Sequence, residues 1–158
     1  LMGYGMDFGY TNDPTTCIGV YKYNNQIILD EVIYQKGLLN SDIVRLLKSN
    51  QVKEIIYADS AEPKSIAEIR ASGFQIRGAD KGKDSINYGI GIMQEMDILV
   101  TAKSTNLIKE LRAYTWQKDK TGLAMNKPID AFNHCIDAAR YFCMMKYGNK
   151  SAGQYNIY

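Results

Sequence analysis

Three groups of side chains have the chemistry to hold a hard cation or move a proton. Asp7 lies in Gly5-Met6-Asp7-Phe8-Gly9, a strand-like segment with no basic residue within ten positions on either side. A carboxylate between Met and Phe is expensive to bury unless it is paired or coordinates a cation. It equally suits a strand-end Asp that bonds turn amides. Asp59 ends the run Ile55-Ile56-Tyr57-Ala58. Ligands of α/β sheets gather at the carboxyl ends of strands, although Asp59 or Ser60 also suits the cap of a following helix. Asp130, His134 and Asp137, spaced by four and three, share one face of any helix that contains them. Asp130 would also suit the first turn of that helix, where negative charge complements the dipole. The single His of the chain thus stands one turn from two carboxylates, although a lone helical His is more often structural.

These groups converge only if the elements that carry them do. Met2 to Phe8, Thr16 to Tyr23 and Gln26 to Tyr34 read as three strands, the last two joined by an Asn24-Asn25 turn, since Asn tolerates positive φ. The pattern then switches to helix–strand alternation: a helix from Asn40 or Ser41, a strand over 54–58, a helix over 62–72 with Pro63 in its first turn and Gly73 as its stop. A strand over 74–79, a helix over 85–96, a strand over 98–101 and a helix from Ser104 or Thr105 to Arg112 follow. Residues 114–117 and 123–126 flank a turn and form a hairpin. Pro128 opens a last helix running to about Tyr147, with Ile136, Ala139 and Cys143 facing the core. Antiparallel strands followed by βαβ alternation predict an α/β fold, a mixed sheet with helices on both faces. Residues 1–147 are expected to form one domain and 148–158, rich in Gly, Asn and Ser, a flexible tail. The start at Leu1-Met2-Gly3 reads as a domain cut from a longer polypeptide.

Composition narrows the chemistry. One His and no Cys-x-x-Cys pair among Cys17, Cys135 and Cys143 exclude zinc ribbons and fingers. The widely spaced odd thiols suit a reducing compartment. No apolar run reaches the ~18 residues of a membrane span. Nineteen basic against seventeen acidic side chains give a net +2, so no global basic field marks a nucleic-acid partner. That neutrality is uneven: residues 1–60 carry five basic and seven acidic groups, residues 61–158 fourteen and ten. In the basic half, Arg77, Lys81 and Lys83 flank a strand–helix junction where Gly82 lets backbone amides approach a phosphate. Lys118 and Lys120 crown the hairpin. Each lysine taken singly also fits a solvated surface.

A first-strand Asp, a fourth-strand Asp and an acidic closing helix over this strand order resemble the ribonuclease H-like nuclease site. There the first and fourth strands are neighbours, and oxygen ligands of this kind suit Mg²⁺ or Mn²⁺, two ions together serving phosphodiester hydrolysis. More closely, the chain resembles the C-terminal nuclease domain of tailed-phage terminase large subunits. The carriers, in order, are Gly5-Met6-Asp7-Phe8-Gly9 with Asp13-Pro14-Thr15, Ile55-Ile56-Tyr57-Ala58-Asp59-Ser60, Lys81-Gly82-Lys83-Asp84-Ser85-Ile86, and Asn133-His134-Cys135-Ile136-Asp137-Ala138-Ala139-Arg140-Tyr141.

The resemblance implies a metal-dependent endonuclease that cuts concatemeric viral double-stranded DNA, with metal ligands at Asp7, Asp59 and Asp137. His134 would stand near the metals and the hairpin beside the site. Asn133 departs from the acidic residue the family often has there, which leaves Asp130 as a possible substitute. The implied partners are an N-terminal packaging ATPase on the same polypeptide, the terminase small subunit and the portal, in the host cytoplasm. This chain has no Walker-type phosphate loop. A Holliday-junction resolvase or transposase-like nuclease fits the same fold, and Asp7-Phe8-Gly9-Tyr10 also echoes the first phosphate loop of actin-like ATPases.

Overall fold

The computed structural model describes residues 1–148, so the expected tail lies outside the described residues except for Gly148. Three strands open the chain: β1 (Gly3–Asp7), β2 (Thr15–Tyr23) and β3 (Gln26–Gln35). They form an antiparallel meander. Asn24, at φ 53°, makes the turn between Tyr23 and Gln26. Strands β4 (Ile56–Ala58), β5 (Ile76–Gly78) and β6 (Asp97–Val100) come from the alternating part of the chain. The sheet order is β5-β4-β1-β2-β3-β6, with β4, β5 and β6 added in parallel.

The described residues also form five helices: α1 (Asn40–Ser49), α2 (Pro63–Ala71), α3 (Ser85–Gln94), α4 (Thr105–Ala113) and α5 (His134–Tyr147). A separate hairpin pairs β7 (Trp116–Lys118) with β8 (Ala124–Pro128). The two-residue side-chain period of β1 divides the core. Tyr4 and Met6 pack with Ile43 and Leu47 of α1 and Ile66 and Ile69 of α2. On the other face Ile18, Val20 and Leu29 of the meander meet Leu107 of α4 and Ile136 and Phe142 of α5. The helices therefore cover both faces, and no helix among the described residues is long and apolar enough to cross a membrane.

Gly5 lets the last helix reach the sheet. A Cβ there would stand 1.7 Å from the carbonyl oxygen of Ala138, so α5 lies directly on β1. Gly89 does the same for α3, where a Cβ would meet the Arg140 side chain at 2.4 Å. Nine residues of α5 are buried, from Cys135 through Met144 with Asp137 omitted. A helix buried nearly all round carries no two-sided polar pattern.

The start of that helix differs from the sequence expectation. Pro128 closes β8 opposite Trp116 instead of opening α5. The helix begins at His134, after Phe132 takes a left-handed φ of 52°. Asp130 consequently sits in the connecting loop, and only His134 and Asp137 belong to the helix.

Candidate active site

The register brings the first two carboxylates side by side. Met6 pairs with Ala58 across the parallel β1–β4 ladder, and the amide of Asp59 donates to the Met6 carbonyl at 3.2 Å. Asp7 ends β1, and Asp59 immediately follows β4. Asp7 shares the β1 face of Gly5, which carries α5, and so looks toward the helix N-terminus. There His134 Nδ1 stands 3.5 Å from Asp7 Oδ2, while its Nε2 lies 3.4 Å from Asp13 Oδ1. Asp137 follows one turn into α5. Asp7, Asp13, Asp130, His134 and Asp137 line a cleft of about 670 Å³.

Electrostatics mark this cluster as unusual. Burial pushes the Asp7 carboxyl up to about 6, opposed by the His134 hydrogen bond and reinforced by the Asp137 and Asp59 charges. Burial also raises Asp137, against the Arg140 charge. The Asp7 hydrogen bond holds His134 above its ordinary value against desolvation. Titratable groups shifted by burial and by specific charged partners, gathered in a cleft, are a mark of a functional site.

Each of the three carboxylates has its own basic partner. Asp7 faces His134, Asp59 is paired with Lys81, and Asp137 is bonded by Arg140 Nη2 at 3.1 Å. Tyr141, buried between them, has the Lys81 ammonium 5.5 Å and the Arg140 guanidinium 4.9 Å from its ring centre. Among the described residues no three His, Cys, Asp or Glu side chains are gathered tightly enough to grip a metal ion. The donor chemistry nevertheless suits one: hard carboxylate oxygens from three segments, one of them deeply buried opposite only a half-buried imidazole.

Two carboxylates outside this set hold the helices that position it. Neither α4 nor α5 has a side-chain cap of its own. Glu31 of β3 accepts the Leu107 amide of α4 at 2.9 Å. Glu110 of α4 in turn accepts the amides of Cys135 and Ile136 at 2.8 and 3.1 Å. The N-terminus of α5 is thereby fixed by a carboxylate from another helix, and Thr16 donates to the His134 carbonyl at 3.0 Å. Glu110 is 3% exposed, its Oε1 has no hydrogen-bond partner among the described residues, and burial raises its pKa. Glu110→Ala would strand two helix amides and is expected to lower stability by about 2 kcal/mol. Glu110→Gln keeps the acceptor without the charge and should retain most of the stability, as thermal unfolding of both variants would establish.

The structure brings Asp7, Asp59, Asp137, His134 and Lys81 together. Lys83 lies two residues beyond Lys81, and Arg77 is exposed on β5 opposite Tyr57. Lys118 and Lys120 are exposed on the hairpin. None of these four makes an ion pair among the described residues. Asn87 of α3 donates to Asn126 of β8 at 3.0 Å, which sets the hairpin beside the Lys81–Lys83 loop. Among the described residues Asp130 bonds only Asn133, which also contacts Asp137 at 3.4 Å. Asp13 and Glu110 emerge as additional residues around the site. Asp13 was marked by its Asp-Pro-Thr motif, whereas nothing local in sequence marks Glu110.

Comparison with known proteins adds a second line. A family model described as the terminase RNase H-like domain matches residues 7–144. The large terminase subunit of Bacillus phage SPP1 is 36% identical over 146 residues, covering 87% of this chain and 34% of that protein. The PBSX phage terminase large subunit of Bacillus subtilis is 29% identical over 141 residues, covering 87% of this chain and 33% of its own. The chain spans about a third of the length of these relatives. The crystal structure of the SPP1 large terminase nuclease domain with bound Mn superposes with a TM-score of 0.78 at 29% identity, over 88% of this chain and 82% of that one. The P22 large terminase nuclease domain shares the fold, with a TM-score of 0.70 at 19% identity over 90% and 79% of the two chains.

Proposed function

The chain belongs to the terminase RNase H-like domain family, and from that premise we propose that it is a metal-dependent endonuclease that cuts concatemeric viral DNA during genome packaging. The observation that carries this reading is the convergence of Asp7 and Asp59 on adjacent parallel strands with Asp137 on the helix seated against them. The Mn of the similar SPP1 domain supports a divalent ion here, Mg²⁺ or Mn²⁺, in a two-ion site.

Asp7, Asp59 and Asp137 would hold the metal. When bound, divalent ions supply Lewis acidity, a more acidic water and charge neutralisation at the phosphate. The protein's own contribution is positional. Gly5 fixes the helix height, Glu110 fixes its N-terminus, and His134, held by Asp7 and Asp13, lines the cleft with a titratable imidazole. Arg77, Lys81, Lys83, Lys118 and Lys120 would contact DNA phosphates, which position a duplex without reading its bases.

Partners follow from the same family: double-stranded DNA, an N-terminal packaging ATPase on the same polypeptide, the small subunit and the portal, in the host cytoplasm. The deciding experiment is plasmid nicking by purified protein. Mn²⁺ or Mg²⁺ should convert supercoiled DNA to open-circular and linear forms, and EDTA should stop it. Intact plasmid together with no calorimetric Mn²⁺ binding would end this reading.

A further inference from the structure

The three basic partners of the site differ in how firmly they are held. The Arg140 side chain is 3% exposed. It bonds Asp137 and contacts Met144 Sδ at 3.4 Å, and α3 packs against it at Gly89. His134 is anchored at both ring nitrogens and through its carbonyl. Lys81 is different. It extends from an irregular loop between β5 and α3, its side chain is 36% exposed, and its ammonium meets Asp59 Oδ1. That oxygen already accepts the Ala61 amide at 2.9 Å. Of the three cations, Lys81 alone can leave without disturbing a helix.

We propose that Lys81 is the resting counter-ion of Asp59, and that its ammonium and a divalent cation compete for that carboxylate. This rests on the metal-nuclease reading above. With Lys81 in place, the ammonium offsets the Asp59 charge and occupies Oδ1, the oxygen that also accepts the Ala61 amide. Metal entry expels the ammonium into the neighbourhood of Lys83 and the hairpin lysines, where it is free to meet a phosphate. One side chain then links two binding events, and linkage requires the effect to be reciprocal: metal strengthens DNA binding, and DNA strengthens metal binding.

The test is calorimetric titration of Mn²⁺, without DNA, into the wild type, Lys81→Met and Lys81→Arg. Lys81→Met keeps an unbranched side chain at this position and removes the competing charge. It is expected to bind Mn²⁺ about fivefold more tightly, the upper worth of a solvent-screened ion pair. Lys81→Arg keeps the charge and should stay close to the wild type. Equal or weaker Mn²⁺ binding by Lys81→Met, with the wild type binding normally, overturns the competition and leaves the metal centre standing. Absence of Mn²⁺ binding by all three overturns the metal centre itself. Fluorescence anisotropy of a labelled duplex gives the reciprocal readout: Ca²⁺ should increase the DNA affinity of the wild type more than that of Lys81→Met. An equal increase in the two proteins would likewise overturn the proposal.

Discussion

Asp7→Asn should abolish cleavage and at the same time make the protein more stable. The loss of activity is expected to be at least about a thousandfold. Removing even the outer-shell support of a metal ligand typically weakens metal binding or activity by 10–100-fold, and Asp7 is one of the three proposed ligands. The gain in stability comes from its pKa. Asp7 rises from 3.8 to about 6 on folding, so the folded chain holds that proton more tightly than the unfolded one. Ionising Asp7 therefore works against the fold. The penalty is absent below about pH 4, grows as pH rises to about 6, and is complete above it. A rise from 3.8 to about 6 makes it about 3 kcal/mol at neutral pH. His134, also raised, acts in the same direction, because its favourable protonated pairing is lost as pH rises.

Thermal unfolding from pH 4 to 8 measures this directly. At pH 7.5 the variant should melt higher by roughly 5–10 °C, and the two curves should meet near pH 4. Excess Mn²⁺ should raise the melting temperature of the wild type and leave that of the variant in place. A variant less stable than the wild type at pH 7.5 would contradict the account of Asp7 as a buried, repelled charge.

Gly5→Ala is expected to damage fold and site together. The new Cβ would fall 1.7 Å from the Ala138 oxygen and 2.5 Å from its carbonyl carbon, both backbone atoms that no rotamer change can move aside. Overpacking commonly costs about 1–3 kcal/mol, and a collision with helix backbone belongs at or above the top of that range. A melting temperature lower by about 10 °C follows for a domain of this size. Relief requires α5 to rise from β1, which carries Asp137 and His134 away from Asp7. Mn²⁺ affinity measured well below the melting temperature should fall with stability. Retained affinity in a destabilised Gly5→Ala protein would show that the site tolerates a displaced helix.

Much of this arrangement was legible in the sequence because it rests on local signals. Turn formers at Asn24, the Pro63 start and the Gly73 stop marked the meander and the alternation. The strand-end positions of Asp7 and Asp59 followed from the apolar runs before them. The start of α5 was not legible. Pro128 at the head of a helix-compatible run reads as a first-turn proline, yet its pairing with Trp116 draws it into the hairpin, and Phe132 supplies the left-handed turn that delays the helix. Glu31 and Glu110 escaped notice for another reason. Each caps a helix dozens of residues away, and no sequence window contains both donor and acceptor. Lys81 read as a phosphate contact because its partner, Asp59, lies across a strand–helix–strand unit.

The seat of α5 on β1 also sets when the molecule becomes dangerous. Asp7 and Asp137 stand 130 residues apart, so a nascent chain that ends before α5 lacks the third carboxylate. At about 5–20 residues per second, the interval between their syntheses is on the order of ten seconds. The contacts that close the site join residues from opposite ends of the described chain, the class of contact that forms slowest. During translation, a nascent chain that already displays its meander has no means of cutting a genome. The last helix arms the blade.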